Sequence, residues 1–446
     1  MRPHSFLPIL SLVFAGVIAA TASASPPDTL GFGSRSIGRA GAVTADVDDF
    51  SASYYNPAGL ARGESLRIDL GYLRLHSGLS INGVDSNIEP VGALNVGIVA
   101  PGRFGNFRFA FGVSLLLNDQ RMSRTRSAIL NRPRWELYDT RPHKVFLTTN
   151  LAIRPLDWLI LGGGITFQAP SELTLQLDGG ADIVDPSGAR AEHMFTGDLM
   201  SIRYPQAGIQ ILAGKCLSFG VTYRGSFLLQ NTLRAKADID ILNLADVALL
   251  LDLISLSRTT YGPQQVAIGA AFNRDFIRAS FDLTWLDWSK HPSLISSDEI
   301  DLDLTDPALA QALNIPSEIA GNRAIPLGLK DRWVPRMSVE GRVLDAEKAK
   351  LWLRAGYAFE RSPFPPQTGA INFIDNDRHS LTFGTELIFD KLEPFIKGDL
   401  SWNLHFLYAH LPEREHIKES LVDPVGDLVS RGRQFGVGTQ LSMRFR

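Results

Sequence analysis

From about residue 65 to its end, the chain repeats one pattern: ten or so residues in which apolar and polar side chains alternate, and then a turn. The last repeat has Phe435, Val437, Thr439, Leu441, Met443 and Phe445 on one face and Gly436, Gly438, Gln440, Ser442 and Arg444 on the other. This period of two predicts β-strands. A soluble sandwich buries the apolar face, whereas a membrane barrel turns it to lipid and keeps a polar interior. The alternation alone therefore predicts an all-β fold but leaves its surroundings open.

The connections between the strands distinguish these two folds. We predict fourteen strands, at residues 65–81, 89–101, 106–118, 143–154, 157–177, 202–213, 216–237, 264–274, 276–289, 332–344, 349–361, 378–390, 393–411 and 432–445. Short turns at 101–105, 155–156, 213–215, 273–275, 345–348 and 390–393 alternate with long connections at 82–88, 119–142, 178–201, 238–263, 290–331, 362–377 and 412–431. Short turns at one end and long loops at the other are the signature of a membrane barrel. We therefore predict a 14-stranded antiparallel transmembrane β-barrel over residues 65–446, and leave open whether 157–177 and 216–237 are single strands or hairpins.

The amino-acid composition excludes several classes of function. Lys plus Arg number 44 and Asp plus Glu 47, for a net charge of −3, so the chain has no basic excess to bind nucleic acid. The single cysteine, Cys216, excludes an intrachain disulfide and a cysteine-based metal site. The nine histidines form no metal-binding motif, and no nucleophile or phosphate-loop motif is present. We expect no metal, no cofactor and no enzymatic activity.

The first 24 residues have the pattern of a secretory signal peptide. Arg2 gives a positive start, residues 6–20 are mostly apolar, and Ala22-Ser23-Ala24 matches a small-x-small cleavage site. We expect cleavage after Ala24 and export of the remaining chain from the cytoplasm.

Residues 25–64, which we call the N-terminal segment, precede the first strand and are too rich in glycine to form one. They contain Gly38-Arg39-Ala40-Gly41-Ala42, the pair Asp48-Asp49 and the turn former Asn56-Pro57-Ala58. These motifs resemble the N-terminal signature of the FadL-type family, outer-membrane transporters of long-chain fatty acids and other hydrophobic compounds. Gly220-Val221-Thr222-Tyr223-Arg224 is similar to a second signature of that family.

The resemblance implies a monomeric barrel in the outer membrane of a Gram-negative bacterium, closed by the N-terminal segment acting as a hatch. It implies passive uptake of a hydrophobic ligand by loop capture, lumenal binding, hatch rearrangement and lateral exit. The residues it assigns to the hatch are Gly38, Arg39, Gly41, Asn56, Pro57 and Ala58. Outer-membrane lipid, lipopolysaccharide and the barrel assembly machinery are the implied partners. Phe445 is followed by Arg446, whereas chains of the family tend to end in an aromatic residue that the assembly machinery recognises.

The connection 238–263 is the most apolar part of the exported chain. Asp238, Asp246 and Asp252 are separated by apolar residues at near-helical spacing. One interpretation is a capture groove for the ligand, built from Leu249, Leu250, Leu253 and Ile254 and closed by a helix at 307–313. The other is that two amphipathic helices pack on each other or cap the barrel.

The predicted register also places charges in the lumen. The inward cations are Arg224, Arg336, Arg354 and Lys397, and the inward acids are Asp282, Glu340, Glu360, Glu386 and Asp399. Arg224 and Arg336 lie at mid-strand height, where they are the candidates for binding a ligand carboxylate. The alternative is that the lumenal charges pair with one another. Trp158, Trp285, Trp288, Trp333 and Tyr408 fall near strand ends and suit interfacial girdles.

The favoured function is uptake of hydrophobic small molecules such as fatty acids or hydrocarbons. A structural or assembly barrel of a secretion complex is the first alternative, and a tightly packed lumen would favour it. An outer-membrane acyl enzyme is the second, and it requires a serine, a histidine and an acid or amide within hydrogen-bond reach on the outer rim.

Overall fold

Fourteen antiparallel strands form one closed sheet in the computed structural model. The structure describes residues 26–105, 107–121, 132–139, 142–168, 171–181, 190–199, 202–241, 248–292, 297–304, 318–320, 326–390 and 398–445. The strands are β1 Leu66–Ile81, β2 Val91–Phe104, β3 Phe107–Asn118, β4 Phe146–Leu156, β5 Leu159–Gln168, β6 Ile202–Ala213, β7 Leu217–Arg224, β8 Gln265–Asn273, β9 Ile277–Leu286, β10 Arg332–Asp345, β11 Ala349–Glu360, β12 Arg378–Phe389, β13 Gly398–His416 and β14 Leu428–Phe445. Each strand pairs with its sequence neighbours, and β1 pairs with both β2 and β14. This closure leaves no free edge.

The predicted strand count and antiparallel order are confirmed, since each of the fourteen predicted ranges overlaps one barrel strand. Two predicted strands were too long. Of 157–177 only Leu159–Gln168 belongs to the barrel, and of 216–237 only Leu217–Arg224 does. In each case the chain continues as a second strand that leaves the barrel for another sheet.

The barrel has an apolar outside and a polar inside. Phe111 and Phe406 are 47% and 55% exposed on the outer face. Asp69 and Gln210, on inward positions, are fully buried. Because successive strand residues point to opposite faces, the alternation seen in the sequence produces both surfaces at once. This is the inverse of a soluble sandwich and is the arrangement of a membrane barrel.

A second, six-stranded sheet lies at the long-loop end. Its strands run in the order Glu318–Ala320, Ser297–Leu304, Ala248–Gly262, Phe227–Ile241, Ser171–Ala181 and Arg190–Leu199. The predicted helix around Leu249, Leu250, Leu253 and Ile254 is therefore wrong, because these residues lie on the strand Ala248–Gly262. That strand pairs on both edges, so the ladder overrides the helical propensity of leucine. The helix predicted at 307–313 lies outside the described residues.

The helices are short. The structure has α1 Pro26–Leu30, α2 Ser34–Ile37, α3 Ala52–Tyr55 and α4 Glu136–Asp139, with 3-10 helices at Pro57–Arg62 and Trp288–Lys290. No helix in the described part of the chain is long and apolar enough to cross a membrane. The predicted signal peptide lies outside the described residues.

Two apolar clusters lie along the axis of the barrel. One joins the N-terminal segment to inward residues of β1 to β5. It includes Phe32 and Phe50 of the segment and Phe146 of β4. The other lies at the long-loop end and includes Trp288, Phe364 and other loop residues. Trp288 is fully buried there, so its assignment to an interfacial girdle was wrong. The space between the two clusters contains the candidate site.

Candidate functional site

Asn56 ties the N-terminal segment to the barrel wall. Its Nδ2 donates to the carbonyl oxygen of Thr44 at 2.7 Å and to that of Ile209 on β6 at 3.0 Å. Its Oδ1 accepts from the Ala58 amide at 3.1 Å and so caps the 3-10 helix that Pro57 begins. One buried side chain thus connects two turns of the segment to a wall strand.

Two wall glycines make room for this turn. A Cβ added at Gly162 on β5 would fall on the backbone of Pro57 and Ala58. A Cβ added at Gly208 on β6 would fall on the Asn56 Oδ1. Glycine is therefore required at both positions for the two backbones to approach. Neither glycine was predicted from the sequence, although each lies at an inward register position opposite the other.

The residues Gly38, Arg39 and Gly41 face the opposite wall. The Gly38 carbonyl oxygen accepts from Thr382 Oγ1 at 3.1 Å, and Gly41 has a φ of 73°, in the region that favours glycine. Arg39 binds Asp46 at 2.9 Å within the segment. Arg39 also donates to Ser280 at 2.9 Å and Ser338 at 3.3 Å on β9 and β10. All three predicted residues therefore lie at contacts between the segment and the wall.

An ionic network lies below these contacts. Arg35 binds Asp48 at 2.5 Å and lies 4.0 Å from both Glu340 and Glu386. Arg354 binds Glu386 at 2.7 Å. Burial is the largest single effect and would raise the pKa of Asp48, but Arg35 and three wall arginines together outweigh it and hold that pKa below its ordinary value. Here the alternative interpretation holds, since these lumenal charges pair with one another.

Arg224 and Arg336 differ from this network. Both line a cavity of about 80 Å³ above the N-terminal segment. Arg224 donates to Gln265 Oε1 at 2.6 Å, and Arg336 donates to Thr284 Oγ1 at 2.7 Å. Within the described residues, neither guanidinium forms an ion pair with a carboxylate. The structure thus brings the two predicted ligand-binding arginines together on one cavity.

Tyr54 and Tyr55 form the floor of this cavity. Burial raises the pKa of Tyr55 to about 12, so its hydroxyl is neutral at physiological pH. The Tyr54 hydroxyl donates to Asp28, which also accepts from Gln265 Nε2 at 2.9 Å. The floor therefore offers aromatic surface, while the wall offers the donors of Arg224 and Arg336 beside the Glu360 carboxylate. That carboxylate is already paired with Arg332 and Arg378.

Two loop segments cover the lumen at the long-loop end. The Arg134 amide donates to the Asn372 carbonyl oxygen at 3.0 Å, and the Ile374 amide donates to the Arg134 carbonyl oxygen at 2.9 Å. Tyr138 donates to Asp375 Oδ1 at 3.2 Å. We call these two segments, residues 132–139 and 361–377, the outer cap. Leu249, Leu250, Leu253 and Ile254 lie in the second sheet, a different sheet from the one that carries Arg224 and Arg336.

A serine and a histidine do meet beneath the outer cap, as an acyl enzyme would require. His416 Nε2 lies 3.0 Å from Ser430 Oγ, and Ser430 donates to Asn376 Oδ1 at 2.7 Å. His416 Nδ1, however, accepts from the Gln367 amide at 3.0 Å. The proton is then on Nε2, so the imidazole donates to the serine and cannot act as its base. Both side chains are also fully buried.

Known proteins match this chain by fold and not by sequence. No family model matches it, and no curated protein matches its sequence. The crystal structure of a Pseudomonas aeruginosa FadL homologue superposes with a TM-score of 0.57 at 15% identity, over 96% of this chain and 99% of that chain. CymD, a monoaromatic hydrocarbon channel, gives 0.52 at 13% identity over 93% and 98%. The P. putida toluene transporter TodX gives 0.51 at 13% identity over 93% and 99%.

These matches define the class of fold. The chain has the FadL-type architecture, a 14-stranded barrel, over nearly its whole length. The 14-stranded barrel implied by the N-terminal motifs is therefore confirmed.

Proposed function

We propose that this protein is an outer-membrane channel for passive uptake of hydrophobic small molecules into a Gram-negative bacterium. One observation carries the proposal: Arg224 and Arg336, two arginines without a carboxylate partner in the described residues, line a lumenal cavity with an aromatic floor. Such a site suits an apolar molecule with an acidic head group. The FadL-type fold and the apolar outer face support a membrane location and a place in that family.

The domains of the proposal are a signal peptide at 1–24, a hatch at 25–64 and the transmembrane barrel at 65–446. The cavity of about 80 Å³ is smaller than the roughly 300–1,000 Å³ of an ordinary ligand site. A long-chain fatty acid therefore needs the hatch to rearrange before it enters fully. Gly38, Arg39, Gly41, Asn56, Pro57 and Ala58 are the contacts that such a movement breaks or turns about.

The proposed path begins with capture at the second sheet, on the strand that carries Leu249, Leu250, Leu253 and Ile254. The ligand then binds at Arg224 and Arg336, the hatch moves, and the ligand leaves sideways into the membrane. Every barrel strand is paired with both neighbours in the described part of the wall. Lateral exit thus requires local separation of two strands. Lipopolysaccharide and outer-membrane lipid surround the proposed monomer, and the assembly machinery inserts it.

A second candidate function has one observation in its favour. The lumen is filled by the N-terminal segment, its ion pairs and the outer cap, and this packing suits a structural barrel of a secretion complex that carries no substrate.

The two functions are separated by purifying the protein in detergent and identifying copurified molecules by mass spectrometry. Uptake of radiolabelled dodecanoate and of toluene is measured in a channel-deficient strain that expresses the chain. Copurified amphiphiles and expression-dependent uptake support the channel. Absence of both, with the barrel correctly assembled, would favour the structural role.

A further inference from the structure

The N-terminal segment has two chemically different sides. Toward β1 to β4 it packs Phe32, Phe50 and Tyr54 against apolar wall residues. We call this contact the apolar seam, and its wall residues are Leu73, Leu75, Val99, Leu116 and Phe146. Phe32 meets the Phe146 ring edge-on with centroids 5.5 Å apart.

Polar contacts across the seam are mainly between neutral groups. Ser114 Oγ donates to the Phe50 carbonyl oxygen at 3.1 Å. The ion pairs on this side that the structure describes, Arg67 with Asp49 at 3.9 Å and Arg108 with Glu64 at 2.6 Å, lie at the short-turn end. The upper and middle parts of the seam are held by dispersion and burial of apolar surface.

The other side of the segment is ionic. Arg35 lies between Glu340 of β10 and Glu386 of β12, and Asp282 of β9 accepts from the Val43 and Thr44 amides at 2.9 and 2.8 Å. A ligand that passed here would separate buried charges from their partners, which is strongly unfavourable. A hydrocarbon that enters the apolar seam replaces one apolar contact with another.

On the basis of this asymmetry, we propose that hydrophobic ligands pass the N-terminal segment along the apolar seam on their way to the lateral exit, while the ionic side stays in place as the hinge. This inference rests on the proposed function and adds its route. Tyr54 connects the route to the cavity, because its ring lies 4.3 Å from the Arg224 guanidinium carbon and 5.9 Å from the Phe146 centroid. Phe32, Phe50 and Tyr54 occupy the seam until the ligand displaces them.

Paired cysteines test the route, in a background where Cys216→Ser removes the native thiol. Ser53→Cys with Gly112→Cys locks the seam, since a Cβ added at Gly112 lies 3.2 Å from Ser53 Oγ. Gly38→Cys with Gly384→Cys is the matched lock on the ionic side, where a Cβ added at Gly38 lies 3.2 Å from the Gly384 Cα. Disulfide formation is measured by thiol titration, and assembly by heat-modifiable gel migration.

Uptake of radiolabelled dodecanoate is then compared before and after oxidation. We expect the oxidised seam lock to lose uptake and to regain it on reduction, while the oxidised ionic lock takes up dodecanoate as the cysteine-free parent does. Undiminished uptake through the oxidised seam lock overturns the route. Equal loss in both locks also overturns it, because the whole segment would then have to move.

A second measurement does not depend on disulfide formation. A diazirine-bearing dodecanoate is photolysed on the cysteine-free protein, and labelled peptides are identified by mass spectrometry. Label on β1 to β4 supports the route, whereas label confined to β9 to β12 contradicts it. If the cysteine-free parent takes up neither dodecanoate nor toluene, the proposed function itself fails, an outcome distinct from failure of the route.

Discussion

The guanidinium carbon of Arg224 lies 4.3 Å from the centroid of the Tyr54 ring, and its Nη1 donates to the Tyr54 carbonyl oxygen at 2.8 Å. Arg224 belongs to wall strand β7, whereas Tyr54 belongs to helix α3 of the N-terminal segment. A cation over an aromatic face, with a second bond to the backbone, is a stabilising contact in a desolvated site. The cavity and the N-terminal segment therefore share one side-chain pair, so we expect a ligand in the cavity to act directly on the segment.

We predict that Arg336 sets the preference of the proposed channel for acidic ligands. Arg336→Met keeps most of the side-chain volume but removes the charge beside the cavity. A hydrogen bond to a charged group is worth about 1.5–3 kcal/mol, so we expect dodecanoate to bind roughly ten- to hundredfold more weakly. Toluene binding should be unchanged. Calorimetry on the detergent-purified protein measures both. Arg103→Met, at the exposed short-turn end of β2, is the control, and equal losses for dodecanoate and toluene would contradict the assignment.

We predict that Asn56 anchors the proposed hatch to the barrel wall. Asn56→Ala removes two donated hydrogen bonds, to Thr44 and to Ile209, and leaves two buried carbonyl oxygens without these partners. An unsatisfied buried group costs about 1–3 kcal/mol, so the segment should open more often. We expect more frequent conductance events in planar bilayers and faster proteolysis at residues 25–64. Asn273→Ala, at a short turn, should leave the conductance and the proteolysis rate unchanged. If Asn56→Ala matches the parent protein in both measurements, Asn56 does not anchor the segment.

The wall glycine Gly162 sets the position of the hatch. Gly162→Val drives a side chain into Pro57 and Ala58, and overpacking of this kind costs about 1–3 kcal/mol. We expect displacement of the segment, seen as raised bilayer conductance with an intact, heat-modifiable barrel. Gly163→Val is the matched control on the same strand, since its added Cβ lies 3.5 Å from the nearest atom, the Gln206 carbonyl oxygen. Equal conductance in the two variants would refute the argument.

Most of the barrel could be predicted from the sequence because its folding information is local. In β3 the outward Phe111 and the inward Gly112 alternate as the pleat demands. The positions of the long loops then distinguish the two ends of the barrel. Inward register alone was sufficient to place Arg224 and Arg336 in the lumen.

The remaining features depend on contacts distant in sequence. The strand Ala248–Gly262 forms because Phe227–Ile241 and Ser297–Leu304 pair with it. The leucine-rich pattern of its own sequence contains no information about those partners. The need for glycine at Gly162 arises only when Asn56–Ala58 crosses the lumen to it. Trp288 is buried because loop residues cover it, so its position near a strand end was misleading.

We predict that Asp48 makes the N-terminal segment sensitive to acid. Burial favours the neutral carboxyl, but Arg35 and three wall arginines together reverse this effect, so the folded-state pKa of Asp48 is lower than the unfolded-state value of about 3.9. The stabilisation from this pair is then fully present above about pH 4 and is lost as the pH falls further towards the folded-state pKa. We expect proteolysis of residues 25–64 in detergent to accelerate below that pH. Asp48→Asn should be cleaved faster already at neutral pH, and a parent protein with no acid-dependent cleavage would oppose this prediction.

Tyr138 holds the outer cap closed over the lumen. Its hydroxyl donates to Asp375 at 3.2 Å, and burial raises the pKa of Asp375, so this carboxyl depends on its few polar partners. Tyr138→Phe removes one donor from a buried acceptor at a cost of about 1–3 kcal/mol. We expect the cap to open more often and dodecanoate to enter faster, as an increased association rate in stopped-flow tryptophan fluorescence. Tyr72→Phe is the matched control, because Tyr72 donates to Asp119 at 2.6 Å in an exposed pair. An association rate that rises equally in both variants, or in neither, would mean that the cap does not limit entry.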